Sequence, residues 1–153
     1  VSSLDELANG EFQHVIGDAG ADPKKVKRVV LCSGKVYYDL LEDQHKRGQD
    51  DVALIRIEQL YPFPRALLAT ELKKFGKAAE VVWCQEEPQN QGAWYQIQHH
   101  LRACLQPKQV LGYAGRPRSP SPAVGHMADH LHELQQLLAD AFTNPVAGVA
   151  VAD

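Results

Sequence analysis

The sequence predicts an α/β fold, a three-layer sandwich around a mostly parallel sheet of about five strands. Short apolar runs rich in β-branched residues recur from residue 28 onward, and segments of helical periodicity alternate with them. Gly, Pro and Ser clusters separate the two kinds of segment, so the succession is that of repeated βα units. The length of 153 residues suits one domain with a substantial core. A composition of 44% apolar and 23% charged residues is that of an ordinary globular chain.

The elements follow in order. Residues 1–25 are rich in Gly, Asp, Ala and Ser without a sustained period and end at Asp22-Pro23, which reads as a linker or arm from a preceding domain. Val1 in place of methionine suggests a processed chain or an excised fragment. The domain proper spans residues 26–142. Its strands are expected at Arg28 to Cys32, Val52 to Ile57, Glu80 to Gln85 and Gln109 to Tyr113. Crossover helices are expected over Val36 to Lys46, where Tyr37, Leu40 and Leu41 share a face, and over Arg65 to Phe75, where Leu68, Leu72 and Phe75 do. Pro64 suits the start of the second helix, because its missing N–H costs nothing there, and Gly76 suits its end. A third helix opens near Gly92 and turns Trp94, Ile97, Leu101 and Leu105 to the sheet. The Gly/Pro/Ser-rich run 112–122 predicts a long surface loop, and the 4-3-4-3 spacing of Met127, Leu131, Leu134, Leu138 and Ala141 predicts an amphipathic helix over 124–142. The tail 143–153 lacks pattern and is expected to fray.

Charge and cysteine usage exclude several functional classes. A net charge of −3 offers no general attraction to nucleic acid or membrane, and Lys24-Lys25-Val26-Lys27-Arg28 is short enough to be a solvated lead into a strand. Cys32, Cys84 and Cys104 are odd in number and set in apolar runs, which predicts buried free thiols of a reducing compartment instead of disulfides or a zinc site. No window reaches the roughly 18 apolar residues of a membrane helix, and residues 1–20 lack signal-peptide character.

The chemistry concentrates at Glu86-Glu87-Pro88-Gln89-Asn90-Gln91-Gly92-Ala93-Trp94, directly after an apolar strand. The carboxyl edge of an open α/β sheet is where sites are usually built. Glu86 and Glu87 could serve as acid and base, but consecutive carboxylates at a strand end diverge, which points to a structural or interface role. Ser33-Gly34-Lys35 resembles the end of a phosphate loop, yet Val29 stands where the first glycine belongs and Val36 follows the lysine. An anion contact at that helix start and a plain turn both stay open. His126, His130 and Glu133 share a helix face without the glutamate spacing of a zinc protease motif, and His99-His100 point apart. Cys84 lacks a neighbouring histidine or cation to activate it as a nucleophile.

Taken together, VALIRIEQLYPFP (52–64) and VWCQEEPQNQGAW (82–94), with SGKVYYDLLE before and YAGRPRSPSPAVG after, resemble the C-terminal domain of the thiamine-diphosphate-dependent decarboxylase component of 2-oxoglutarate dehydrogenase. The four blocks lie in the family's order and cover roughly residues 26 to 142. Their shorter common pattern is similar to transketolase C-terminal domains.

The resemblance implies a structural, dimer-stabilising module of an enzyme that decarboxylates 2-oxoglutarate and succinylates the lipoyl arm of a partner dihydrolipoyl succinyltransferase. It also implies that thiamine diphosphate and magnesium are bound by preceding domains. Those domains carry Gly-Asp-Gly and a later Asn-Asn; here Gly17-Asp18-Ala19 breaks the first element and Asn-Asn is absent, so the chain alone is expected to be inactive. Glu86, Glu87, Asn90, Gln91 and Trp94 become candidates for bracing the domain against its neighbours. The alternative is an effector-binding module for acetyl-CoA or a nucleotide, with Lys35, Arg116 and Arg118 as cations on predicted loops. The location implied is the bacterial cytoplasm, or the mitochondrial matrix for a eukaryotic source.

Overall fold

A computed structural model describes residues 13–116 and 127–143. In chain order the elements are β1 (Val15–Ile16), β2 (Arg28–Cys32), α1 (Val36–Arg47), β3 (Val52–Ile57), α2 (Arg65–Lys74), β4 (Glu80–Pro88), α3 (Trp94–Cys104), β5 (Val110–Arg116) and α4 (Met127–Thr143). The five strands form one sheet in the order β1-β3-β2-β4-β5. All neighbours are parallel except β1, which pairs antiparallel with β3 through Val15↔Ile57 and Ile16↔Arg56.

The central strands form because nearly all their residues are apolar and both faces are covered. β2 is buried at every position, as a parallel strand between two helical layers must be. On one side, α2 and α3 bury Leu68, Leu72, Ile97 and Leu101 against Val29, Leu31 and Trp83. On the other, α1 and α4 bury Leu40, Leu137 and Phe142 against Val30, Cys32 and Val82. Each fully buried Leu or Ile contributes about 1.5–3 kcal/mol, so a single truncation such as Leu101→Ala would weaken one whole face. The three-layer expectation therefore holds.

Two polar devices close the fold. Arg28 enters the sheet only 5% exposed. Its Nε and one terminal nitrogen donate to Glu80 Oε1 at 3.1 and 3.0 Å, and the other terminal nitrogen donates to the α4 carbonyls of Ala141 at 2.9 Å and Asp140 at 3.2 Å. A cation thus meets the unsatisfied carbonyls and the negative dipole end of a helix. At one edge of the sheet β1 covers only the end of β3. Beyond it, Asp18 Oδ2 accepts the Leu54 N–H at 2.9 Å, satisfying a group that an uncovered edge strand leaves open.

Several boundaries differ from expectation. Val15–Ile16, within the segment read as an arm, supplies the fifth strand through a pairing too short and too distant in sequence to leave a pattern. β4 and β5 continue to Pro88 and Arg116, beyond the expected Gln85 and Tyr113. A register irregularity between Cys84 and Pro88 lets the polar tail stay paired, ending in Pro88↔Arg116. Arg116 is accordingly a strand residue, not a loop cation. The start of the expected loop, 112–116, is also strand; its remainder, residues 1–12, residues 124–126 at the expected helix start and the tail after 143 lie outside the described residues.

Helix termini follow the sequence closely. Gly48, at φ +60°, ends α1 in the left-handed conformation and donates to Gln44 O and His45 O. Pro64 stands at the α2 N-cap. No described helix is long and apolar enough to cross a membrane.

Candidate functional site

The predicted run lies where β4 leaves the sheet, and a glutamine that precedes it organises it. Trp83 belongs to the core on the α2 and α3 side and Cys84 to the core on the other side, as strand alternation requires. Gln85 follows Trp83 and is 3% exposed. Its Oε1 accepts the Trp83 Nε1–H at 2.9 Å and the Trp94 backbone N–H at 3.2 Å. Its Nε2 donates to the carbonyls of Glu87 at 3.1 Å, Pro88 at 2.9 Å and Gln91 at 2.9 Å. The indole can only donate and the carbonyls can only accept, so the amide has one compatible orientation. One side chain thereby joins the strand, the turn and the first residue of α3. Gly92 closes the turn at φ +66°; a Cβ there would stand 3.1 Å from both Cβ and Oε1 of Glu87.

Glu86 and Glu87 diverge. Glu86 turns toward α1, where its Oε2 lies 3.6 Å from Lys35 Nζ and its carboxyl shares a hydrogen bond with Asp39. Burial, then the Glu86 charge, raises the Asp39 pKa above the ordinary carboxylate value, against the opposing pull of Lys35. Lys35 itself is 83% exposed, so its pair with Glu86 is a weak one. Arg116 Nε donates to the Glu86 backbone carbonyl at 2.6 Å and lies 3.7 Å from Glu133 Oε1. The structure thus gathers Lys35, Glu86 and Arg116 around one position. Arg118 lies outside the described residues, as do His126 and the side chain of His130.

Glu87 is exposed and borders a cleft of about 350 Å³ together with Ser33, Tyr61, Trp83 and Gln96. The cleft opens between the carboxyl ends of β2 and β4. There the chain order reverses, since β3 lies on one side of β2 and β4 on the other. Tyr61 hydrogen-bonds through its hydroxyl to Gln96 Oε1 on α3. Gln91 is held through its carbonyl, and its N–H donates to Pro88 O at 2.9 Å. Asn90 is exposed and engaged. Trp94 is buried, with its ring 5.1 Å from that of Tyr113.

All three cysteines are free and buried, as expected. Burial pushes the Cys32 thiol up to about 12 and the Cys84 thiol well above its ordinary value, so neither supplies a thiolate near neutrality. Sequence reasoning missed Gln85, Asp39 and Tyr61 as parts of the site. The available signal was Gln85 itself, a polar residue continuing an apolar strand, which must find partners if buried.

The 2-oxoglutarate dehydrogenase C-terminal family model matches residues 1–142. Among similar proteins, the 2-oxoglutarate dehydrogenase E1 component of Haemophilus influenzae is 56% identical over 144 residues, covering 94% of this chain and 15% of the relative. That of Cupriavidus necator is 54% identical over 143 residues, covering 93% and 15%. That of Azotobacter vinelandii is 52% identical over 147 residues, covering 94% and 16%. The chain therefore spans about 15% of the length of these relatives. With this match behind the residue pattern and the α/β sheet that it forms, the chain belongs to the 2-oxoglutarate dehydrogenase C-terminal family.

Proposed function

We propose that this domain is the structural and dimer-stabilising module of an enzyme that oxidatively decarboxylates 2-oxoglutarate on thiamine diphosphate. In this reading the full-length protein feeds the tricarboxylic acid cycle from the bacterial cytoplasm. It passes the succinyl group to the lipoyl arm of a dihydrolipoyl succinyltransferase. The observation that carries the reading is the family match over 142 of 153 residues, joined to a carboxylate turn braced from inside the domain.

The described residues do not fit the cofactor. Asp18 is the acidic residue after Gly17, but its Oδ1 accepts Gly20 N–H at 3.2 Å and its Oδ2 accepts Leu54 N–H at 2.9 Å. Among the described residues no three His, Cys, Asp or Glu side chains are grouped to hold a metal ion. In this reading thiamine diphosphate and magnesium belong to other parts of the full-length enzyme, and the chemical steps with them.

The test uses the full-length enzyme. Glu87→Gln is expected to weaken dimer assembly or lower the unfolding midpoint while leaving the decarboxylation rate per assembled dimer near wild type. A stable dimer with abolished chemistry returns the carboxylate to the active site. Residues 1–153 alone, supplied with thiamine diphosphate and magnesium, are expected to show no decarboxylation. An effector-binding module for acetyl-CoA or a nucleotide has less support, because Lys35 lies 3.6 Å from the Glu86 carboxylate and Arg116 lies 3.7 Å from that of Glu133, so each cation already has an anionic neighbour. Saturable heat with acetyl-CoA or AMP in calorimetry would favour that alternative.

A further inference from the structure

We propose that the cleft beside Glu87 seats an arginine or lysine side chain contributed by the rest of the parent enzyme, and that this cation is the contact through which the turn braces the domain. The proposal rests on the structural reading above and gives its contact a chemistry.

Three observations support it. Glu87 is exposed at the cleft rim, and its carboxylate has no hydrogen-bond or ion-pair partner among the described residues. Several polar groups near it are engaged: the Gln85 amide with five partners, the Tyr61 hydroxyl with Gln96, and Lys35 with Glu86. The backbone that carries the carboxylate is also fixed, since the Gln85 amide holds the Glu87 carbonyl at 3.1 Å and a Cβ on Gly92 would stand 3.1 Å from the Glu87 Cβ. A partner therefore loses little entropy in meeting it.

Aromatic and aliphatic side chains share the cleft with the carboxylate. Tyr61 is 62% exposed, more than any other large apolar side chain described, and Leu60 and Trp83 line the same space. An aromatic face beside a carboxylate suits the head of a long cationic side chain, which gains ion-pair and cation–π attraction together while its stem covers apolar surface. The occupant belongs to the same enzyme because the relatives extend far beyond this domain, which spans about 15% of their length. A cleft of about 350 Å³ matches a side chain and its immediate backbone better than a whole helix.

The test is photocrosslinking in the full-length dimer with Tyr61→p-benzoylphenylalanine, and with Gln96→p-benzoylphenylalanine should the first variant fold poorly. Mass spectrometry is expected to map the crosslink to a peptide of the same enzyme outside residues 1–153 that carries Arg or Lys. Glu87→Lys is expected to cut the crosslink yield about tenfold. It should also lower the unfolding midpoint by about 2–4 °C. Charge reversal of the mapped cation in the Glu87→Lys background should restore both. The proposal is overturned by a folded, assembled enzyme giving no crosslink, or by a crosslink confined to residues 1–153 of a second copy. It is equally overturned by a crosslink that forms only when the lipoyl-bearing acyltransferase is added, or by one that Glu87→Lys leaves unchanged. The crosslink map does not depend on turnover, so an enzyme inactive toward 2-oxoglutarate refutes the functional reading without deciding where the cleft docks.

Discussion

Replacing Gln85 with methionine preserves approximate volume and removes every polar contact of the amide. Two buried donors then lose their acceptor, the Trp83 indole N–H and the Trp94 backbone N–H, and three carbonyls of the turn lose their donor. An orphaned buried donor costs about 1–3 kcal/mol. The carbonyls cost less, because the turn is partly exposed and water can reach them. Methionine recovers part of this through apolar burial, leaving an expected loss of about 2–4 kcal/mol. Gln85→Glu separates the two halves of the network: it keeps the acceptor for the tryptophans and points a second oxygen at three carbonyls.

That arrangement favours the protonated acid, so the folded pKa of the new carboxyl is raised. Its stabilising contribution is then present at low pH and lost as pH rises through the raised value. Urea unfolding followed by intrinsic fluorescence suits the question, since the chain has two tryptophans and both bond Gln85. The reasoning is refuted if Gln85→Met unfolds within about 0.5 kcal/mol of wild type, the range of a neutral surface change. It is also refuted if Gln85→Glu is as destabilised at pH 5 as at pH 8.

The remaining predictions concern other supports of the fold and turn. Arg28→Met leaves Glu80 and the last α4 carbonyls without their cation; chemical denaturation should show a loss of about 2–4 kcal/mol. Gly92→Ala puts a Cβ at positive φ against Glu87, and thermal unfolding should show a loss of about 1–2 kcal/mol. Asp39 carries a raised carboxyl pKa, so stability from its protonated form is present at low pH and declines as pH rises through the carboxylate range. Asp39→Asn keeps a donor toward Glu86 without the charge and should flatten the dependence of the urea midpoint between about pH 4 and 6.

The legible parts of the fold were those whose pattern is local. β2 and β3 coincide with their expected bounds because a strand buried on both faces is written as a nearly continuous apolar run, here broken only by Arg28 and Arg56. The tails of β4 and β5 were not legible: residues 85–88 are polar and carry a proline, and their pairing depends on a bulge that only the partner strand reveals. β1 is two residues long and gains its identity from β3, some forty positions away. At the site, the divergence of Glu86 and Glu87 followed from strand alternation alone. The role of Gln85 did not, because a glutamine at a strand end looks the same whether it meets water or five protein groups.

The device at Arg28 also sets an order of events during synthesis. Residues 28 and 80 can pair as soon as β2 and β4 meet, but the carbonyls at 140 and 141 that complete the clamp are among the last of the domain to leave the ribosome. The sheet face lined by Val30, Cys32 and Val82 lacks its α4 cover until then. A nascent chain paused before residue 137 holds a greasy surface and a half-dressed arginine, which is the state that chaperones capture. Rare codons or stalling in that stretch should therefore reduce the yield of folded protein more than equal delays within α2.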